Sequence, residues 1–277
     1  MLPAYVLAES VYTLVVEDFP MATTTAVPPA APEPKPQAQI GAIGRMVGVF
    51  FSPKPTFADI VRRPSWVAPL IVLFVIWFGL NIALVQKADW VEVSKEQIAK
   101  NKFASRAVDN LPEDQKGTIY QQAAGRAKIT RYVRAVIGWP LLLLFAALIY
   151  WGLYRLVGGA RTNFATSFSI VAFAHLPLGL RELLAIPVTL FKDPAAIDPE
   201  NVLASNPAAF LGSDAPLWQT AFLTPIDVFG IWAVILVAYG FSAADPKKLP
   251  LGKSLGIAFG LFICIDLFFT TIAWIFS

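Results

Sequence analysis

No Asp, Glu, Lys or Arg falls between Trp66 and Gln86, in the run WVAPLIVLFVIWFGLNIALVQ. A helix rises about 1.5 Å per residue, so a run of this length crosses a hydrocarbon layer of roughly 30 Å. Lipid offers no water to backbone amides, so a spanning segment must be helical. Charge is scarce everywhere: 15% of the 277 residues are charged and 56% are hydrophobic, where a soluble domain carries about 25% charged residues. That shortage excludes an ordinary soluble globule and predicts a polytopic membrane protein. The single cysteine, Cys264, excludes an internal disulfide and lies in an apolar run as a small packing residue. The single histidine, His175, excludes a multi-histidine metal centre. The chain also lacks HExxH, GxSxG, a phosphate-binding loop and paired cysteines. No enzyme class, cofactor or metal is therefore expected. Ser167 and Ser169 precede His175 at a spacing that marks no activated nucleophile. Gly158-Gly159 is a turn, and the basic residues flank apolar runs rather than forming a nucleic-acid face.

What is present falls into an ordered series. Residues 1–39 end in a Pro/Ala/Thr-rich stretch that cannot bury a core and is expected to be a disordered tail. MATTTAVPPAAPEPKPQAQ, from Met21, reads as a natural start, so translation is expected to begin there. Residues 40–63 form an amphipathic, cytoplasmic lead-in. Ile40, Ile43, Val47, Phe50 and Phe51 recur at helical spacing, and Thr56 to Asp59 has the form of a capping box. One or two short helices are expected there, either lying along the bilayer surface near anionic headgroups or packed as a lead-in without a lipid role. Residues 64–277 form the membrane domain, all-α with five transmembrane helices. The spans are expected at about 66–86, 135–154, 164–183, 220–243 and 254–276. Asn81 is the strongly polar side chain of the first span. Residues 87–134 form a charged, helical connection with a capping box at Ser94 to Gln97, and Pro140 is expected to kink the second span. Trp66, Trp90, Trp139, Trp151, Trp218 and Trp274 read as interface or packing residues.

Five spans put the termini on opposite sides. Three short basic clusters share one side: Arg62-Arg63, Arg155 with Arg161, and Lys247, Lys248 and Lys253. That side is expected to be cytoplasmic, with the C-terminus outside, in a bacterial cytoplasmic membrane. Residues 192–217 hold one basic residue, Lys192, and are net acidic, which suits the outside. Arg126, Lys128, Arg131 and Arg134 crowd the outer approach to the second span and run against this assignment.

The run VGVFFSPKPTFADIVRRPSWVAPL, residues 47–70, resembles the lead-in of bacterial members of the YIP family, the Yip-one domain of Ypt/Rab-interacting membrane proteins. Pro53, Phe57, Pro64, Trp66 and Pro69 carry the match. The resemblance covers about residues 45–276. It implies five spans, a cytoplasmic N-terminus and a role in membrane organisation or trafficking, with no catalytic residues. The Asp-Leu-Tyr-Gly-Pro signature of the eukaryotic family does not occur in this chain.

Ionisable groups inside spans are costly and need a reason. Counting residues from the span ends puts His175, Asp227 and Asp266 near mid-depth on three helices. Two readings are open. They can form a proton-coupled site with His175 between carboxylates, or they can join helices by hydrogen bonds worth about 0.6–2 kcal/mol each. Arg181 and Glu182 are expected at the far interface, where they snorkel or pair. The leading expectation is a non-enzymatic protein that organises or scaffolds other components. Its partners would be the lipid bilayer and other membrane proteins or further copies of itself. The alternative is a small-solute or ion permease using the His/Asp cluster.

Overall fold

Prolines and short polar side chains decide where the helices begin and end. The computed structural model describes residues 40–212 and 215–277, within the compact unit Gln39–Ser277. The expected tail over 1–39 and the start at Met21 lie outside the described residues. Helix α1 (Ala42–Phe51) stops at Ser52, because Pro53 has no N–H to continue the ladder. Helix α2 (Pro53–Arg62) starts there, with the Thr56 hydroxyl donating to the Ser52 carbonyl at 2.7 Å. After α3 (Val67–Lys87), the Asp89 carboxylate caps α4 (Trp90–Lys100), accepting from the Val91 and Glu92 amides. The Asn101 side chain caps α5 (Lys102–Asp109) in the same way, at 3.0 Å from the Phe103 and Ala104 amides, so the helix read from Ser94 onward is two.

Helix α6 (Glu113–Val133) runs through a π turn, Arg134–Gly138, into α7 (Trp139–Leu156), making one rod of 44 residues. The π turn stands where Pro140 would otherwise have left the carbonyl four residues back without a donor. Helices α8 (Phe164–Ala174) and α9 (Leu176–Phe191) meet at His175, just before Pro177. Helix α10 (Leu217–Leu223) is bent by 47° from α11 (Val228–Ala244), and α12 (Leu251–Phe276) closes the chain. No strand occurs among the described residues.

Four rods, α3, α6–α7, α8–α9 and α12, are long and apolar enough to cross a bilayer. The bent pair α10–α11 is the candidate fifth crossing, and it follows α12 along nearly its whole length. The Trp218 amide donates to the Ser277 hydroxyl at 3.1 Å at one end, and Ser254 Oγ donates to the Ala238 carbonyl at 2.8 Å near the other. The protein is an all-α, polytopic membrane fold.

The connections sort to two ends. At one end, Lys253 Nζ donates to the Gly158 carbonyl at 2.9 Å, and the Tyr154 hydroxyl donates to the Ser254 carbonyl at 2.7 Å. At the other, the Asp89 amide donates to the Pro194 carbonyl at 3.0 Å, and Phe103 meets Phe276 edge-on. Large side chains on α7 and α12, such as Phe145, Leu267 and Phe268, point away from the bundle, as lipid-facing residues do.

The lead-in helices are part of the bundle. Phe57 and Ile60 of α2 are fully buried against α8 and α11, where Gly240 leaves room for Ile170 and Phe57. A side chain at Gly240 would overlap both. Phe51 of α1 is 82% exposed. Phe57→Ala should therefore cost about 3–5 kcal/mol of stability in mild detergent, and Phe51→Ala within roughly 0.5 kcal/mol. Equal losses in thermal or denaturant unfolding would contradict the docking of α2.

Candidate functional site

Polar side chains gather where the 192–216 loop folds back into the end of the bundle opposite Lys253 and Gly158. Asn81 is buried on α3 and donates from Nδ2 to the Trp77 carbonyl at 2.8 Å, one turn back. Its Oδ1 accepts from Arg131 Nη1 at 3.5 Å. Arg131, also buried, donates from Nη2 to the Pro199 carbonyl at 2.9 Å and to Glu200 Oε1 at 2.7 Å. Arg134 lies 3.5 Å from the same Glu200 oxygen. Its own carbonyl accepts from Trp77 Nε1 at 2.9 Å. The Arg131 guanidinium also lies over the Trp90 ring. Two of the basic residues that crowd the second span thus share one acidic loop residue.

Deeper in, Arg181 donates from Nη2 to Glu182 Oε1 at 2.5 Å, and its Nη1 lies 3.8 Å from Asp227 Oδ1. Asp227 is the N-cap of α11, accepting at 2.9 Å from both the Phe229 and Gly230 amides. Its other oxygen accepts from the Ser205 hydroxyl. One carboxylate therefore repairs the break between α10 and α11, holds α9 and pins the loop. Arg181 lies 17 residues, about 26 Å, along the α8–α9 rod from Phe164, close to the roughly 30 Å of a hydrocarbon layer, and α9 runs on for ten more residues to Phe191. Glu182 is buried and Arg181 half-buried, and Asp227 and the infolded loop supply their polar surroundings.

A cavity of about 130 Å³ lies between these groups, lined by Trp77, Asn81, Arg131, Arg181, Glu182 and Ser205 among others. It has room and polar partners for several waters. Neither His175 nor Asp266 lines it.

His175, Asp227 and Asp266 are not joined to one another by any hydrogen bond or ion pair among the described residues. His175 Nδ1 lies 2.8 Å from the Val171 carbonyl, so that nitrogen carries the proton, and the ring stands edge-on to Trp139. Asp266 is buried on α12, with Oδ1 lacking a partner, one turn from the equally unpartnered Thr270 hydroxyl. Depth alone put the three residues level, whereas their partners are set by the side of the helix each occupies. The role of Asp227 had a readable signal: Pro225 and Asp227 stand just before an uncharged apolar run, which is a helix-start pattern. The roles of Arg131, Glu200 and Ser205 had none, because each depends on how the loop folds.

The family residues sit at the other end. Pro53 opens α2, Phe57 is core, Pro64 and Trp66 lie between α2 and α3, and Pro69 is buried in the first turn of α3. Trp66 stands edge-on to Phe168 at 5.2 Å. The sequence profile of the Yip1 domain matches residues 47–274, from the second turn of α1 to near the end of α12. This chain belongs to the Yip1 domain family. It is also 26% identical over 227 residues to "Membrane protein YknW" of Bacillus subtilis (strain 168), a match covering 80% of this chain and 88% of that one. No solved structure matches.

The loop contacts make a prediction. Glu200→Ala removes the carboxylate that Arg131 and Arg134 share, at a cost of about 1–2 kcal/mol given its half-exposed position. Limited proteolysis of sealed vesicles should cut the 192–216 loop several-fold faster in this variant. An unchanged rate would contradict the latch.

Proposed function

We propose that this Yip1-domain protein is a non-enzymatic membrane organiser, holding other membrane proteins or further copies of itself in place. The observation that carries this reading is the use made of its buried charges. Arg131, Arg181 and Asp227 each tie one element to another, while α7 and α12 present broad apolar faces to the bilayer. Such an interior holds a fixed shape, and such an exterior is a surface for lateral contact. The orientation proposed with it places residues 40–63 in the cytoplasm of a bacterial cell and Ser277 outside. Arg63, Arg155, Arg161, Lys247 and Lys248 all lie at one end, and Glu200 offsets one of the two charges of Arg131 and Arg134 at the other.

A permease would instead need His175, Asp227 and Asp266 on one wetted path. In proteoliposomes the chain should carry no proton or ion flux above protein-free vesicles, and His175→Ala should change stability alone. Photo-crosslinkers at Phe145 and Phe268 in native membranes should give discrete protein adducts. Protein-dependent flux abolished by His175→Ala, with lipid adducts only, would overturn the proposal.

A further inference from the structure

Helix α1 has an apolar face that the bundle leaves uncovered. Ile43, Val47 and Phe51 follow one another at four-residue spacing and are 74%, 52% and 82% exposed. The opposite face, Arg45 and Val49, is buried. The helix cannot roll to hide its stripe. Arg45 Nε donates to Asp59 Oδ2 at 2.7 Å, and its Nη1 donates to Ser65 Oγ at 2.8 Å and to the Arg63 carbonyl at 3.0 Å. These bonds hold the start of α1 to the end of α2.

The depth of the stripe can be read from its neighbours. The ring of Phe50 meets Trp232 of α11 edge-on, with centroids 5.4 Å apart. Trp232 lies six residues, about 9 Å, along α11 from Ala238. Ala238 is bonded to Ser254, which is bonded to Tyr154, and these stand next to Lys253 and Arg155, the charges closing α12 and α7 at this end. The C-terminal half of α1 thus lies on the bilayer side of the level those charges mark. That is the depth, about 5–10 Å into the headgroup and acyl boundary, at which in-plane amphipathic helices sit. Exposed basic side chains flank it in the chain, Lys54 and Arg63, and others close the same end of the bundle, Arg155, Lys247 and Lys248. The nearby acids are engaged, Asp59 by Arg45 and Asp245 by the Arg161 and Lys248 amides.

We propose that α1 is a fixed in-plane anchor. Its Ile43–Val47–Phe51 stripe is seated in the acyl boundary of an anionic phospholipid leaflet, whose headgroups the exposed lysines and arginines of this end of the bundle bind. Charge complementarity and continuity with the lipid-facing bundle select lipid as the occupant. The proposal rests on the orientation given above only for which leaflet is meant.

The test uses the full chain, one copy per nanodisc, in a Cys264→Ala background. A polarity-sensitive dye is placed in turn at Ile43→Cys, Val47→Cys, Phe51→Cys and, as control, Lys248→Cys. Blue-shifted emission quenched by doxyl-labelled lipid is expected at the first three and water-like emission at the fourth. Water-like emission at all four would overturn the proposal, and would mean that a protein, a second copy or another chain, covers the stripe. In a second arm on the unmodified chain, lipid retained from discs of mixed phosphatidylcholine and phosphatidylglycerol should be enriched in phosphatidylglycerol. That enrichment should vanish in the triple variant Lys54→Gln, Lys247→Gln, Lys248→Gln. Retained lipid matching the bulk would remove the anionic assignment. A nanodisc has two open faces, so failure here is distinct from failure of the cellular orientation.

Discussion

A peptide group that leaves water for hydrocarbon must find its partner within the protein, and each break in the long helices of this chain is repaired with that in view. At Ser52, Pro53 and Pro55 remove two amides that would otherwise lack acceptors, and Thr56 bonds back to the Ser52 carbonyl. At His175, just ahead of Pro177, the backbone amide reaches the Val171 carbonyl at 3.1 Å, and imidazole Nδ1 adds a second bond to the same oxygen at 2.8 Å. The repair with most consequence is at Asp227, where one carboxylate receives two amides of α11 and remains bound to Ser205 and near Arg181. Without it, the bent crossing would leave a helix N-terminus bare inside the bundle.

From that constraint follows the placing of the other polar groups. They occur as two sets of ties, one near each end of the rods. The set at the basic end joins α7, α11 and α12 through Tyr154, Ser254 and Ala238, with Tyr154 stacked on Phe241 at 3.9 Å. The other set joins α3, α6, α9 and α11 to the infolded loop through Asn81, Arg131, Arg181 and Asp227. Between the two sets the contacts are mainly apolar, so the ties specify which helix faces which while packing supplies most of the cohesion.

The helix content and the four long apolar rods were legible because they depend on length and on missing charge, both local properties of the chain. The span starting at Val67 was visible from one uncharged run. The bend at Asp227 was visible only as an interruption, and its meaning as a cap came from the geometry of the residues just before it. The long connection held a capping signal at Asn101 that periodicity alone passes over. Side-chain partnerships across helices were the least legible. Counting residues from the span ends put His175, Asp227 and Asp266 level, yet each finds different neighbours in the bundle. The burial of Arg131 depends on Glu200, 69 residues away, and no local pattern records such a pairing.

The account turns on α10 and α11 acting together as one full crossing alongside α12. The most direct measurement is the sidedness of two single cysteines, Gly41→Cys and Ser277→Cys, probed in a Cys264→Ala background with a membrane-impermeant thiol reagent. In sealed inside-out vesicles, the account predicts labelling at position 41 and protection at position 277, reversing in right-side-out vesicles. Labelling of both positions from the same side would make the bent pair a re-entrant loop and reduce the crossings to four.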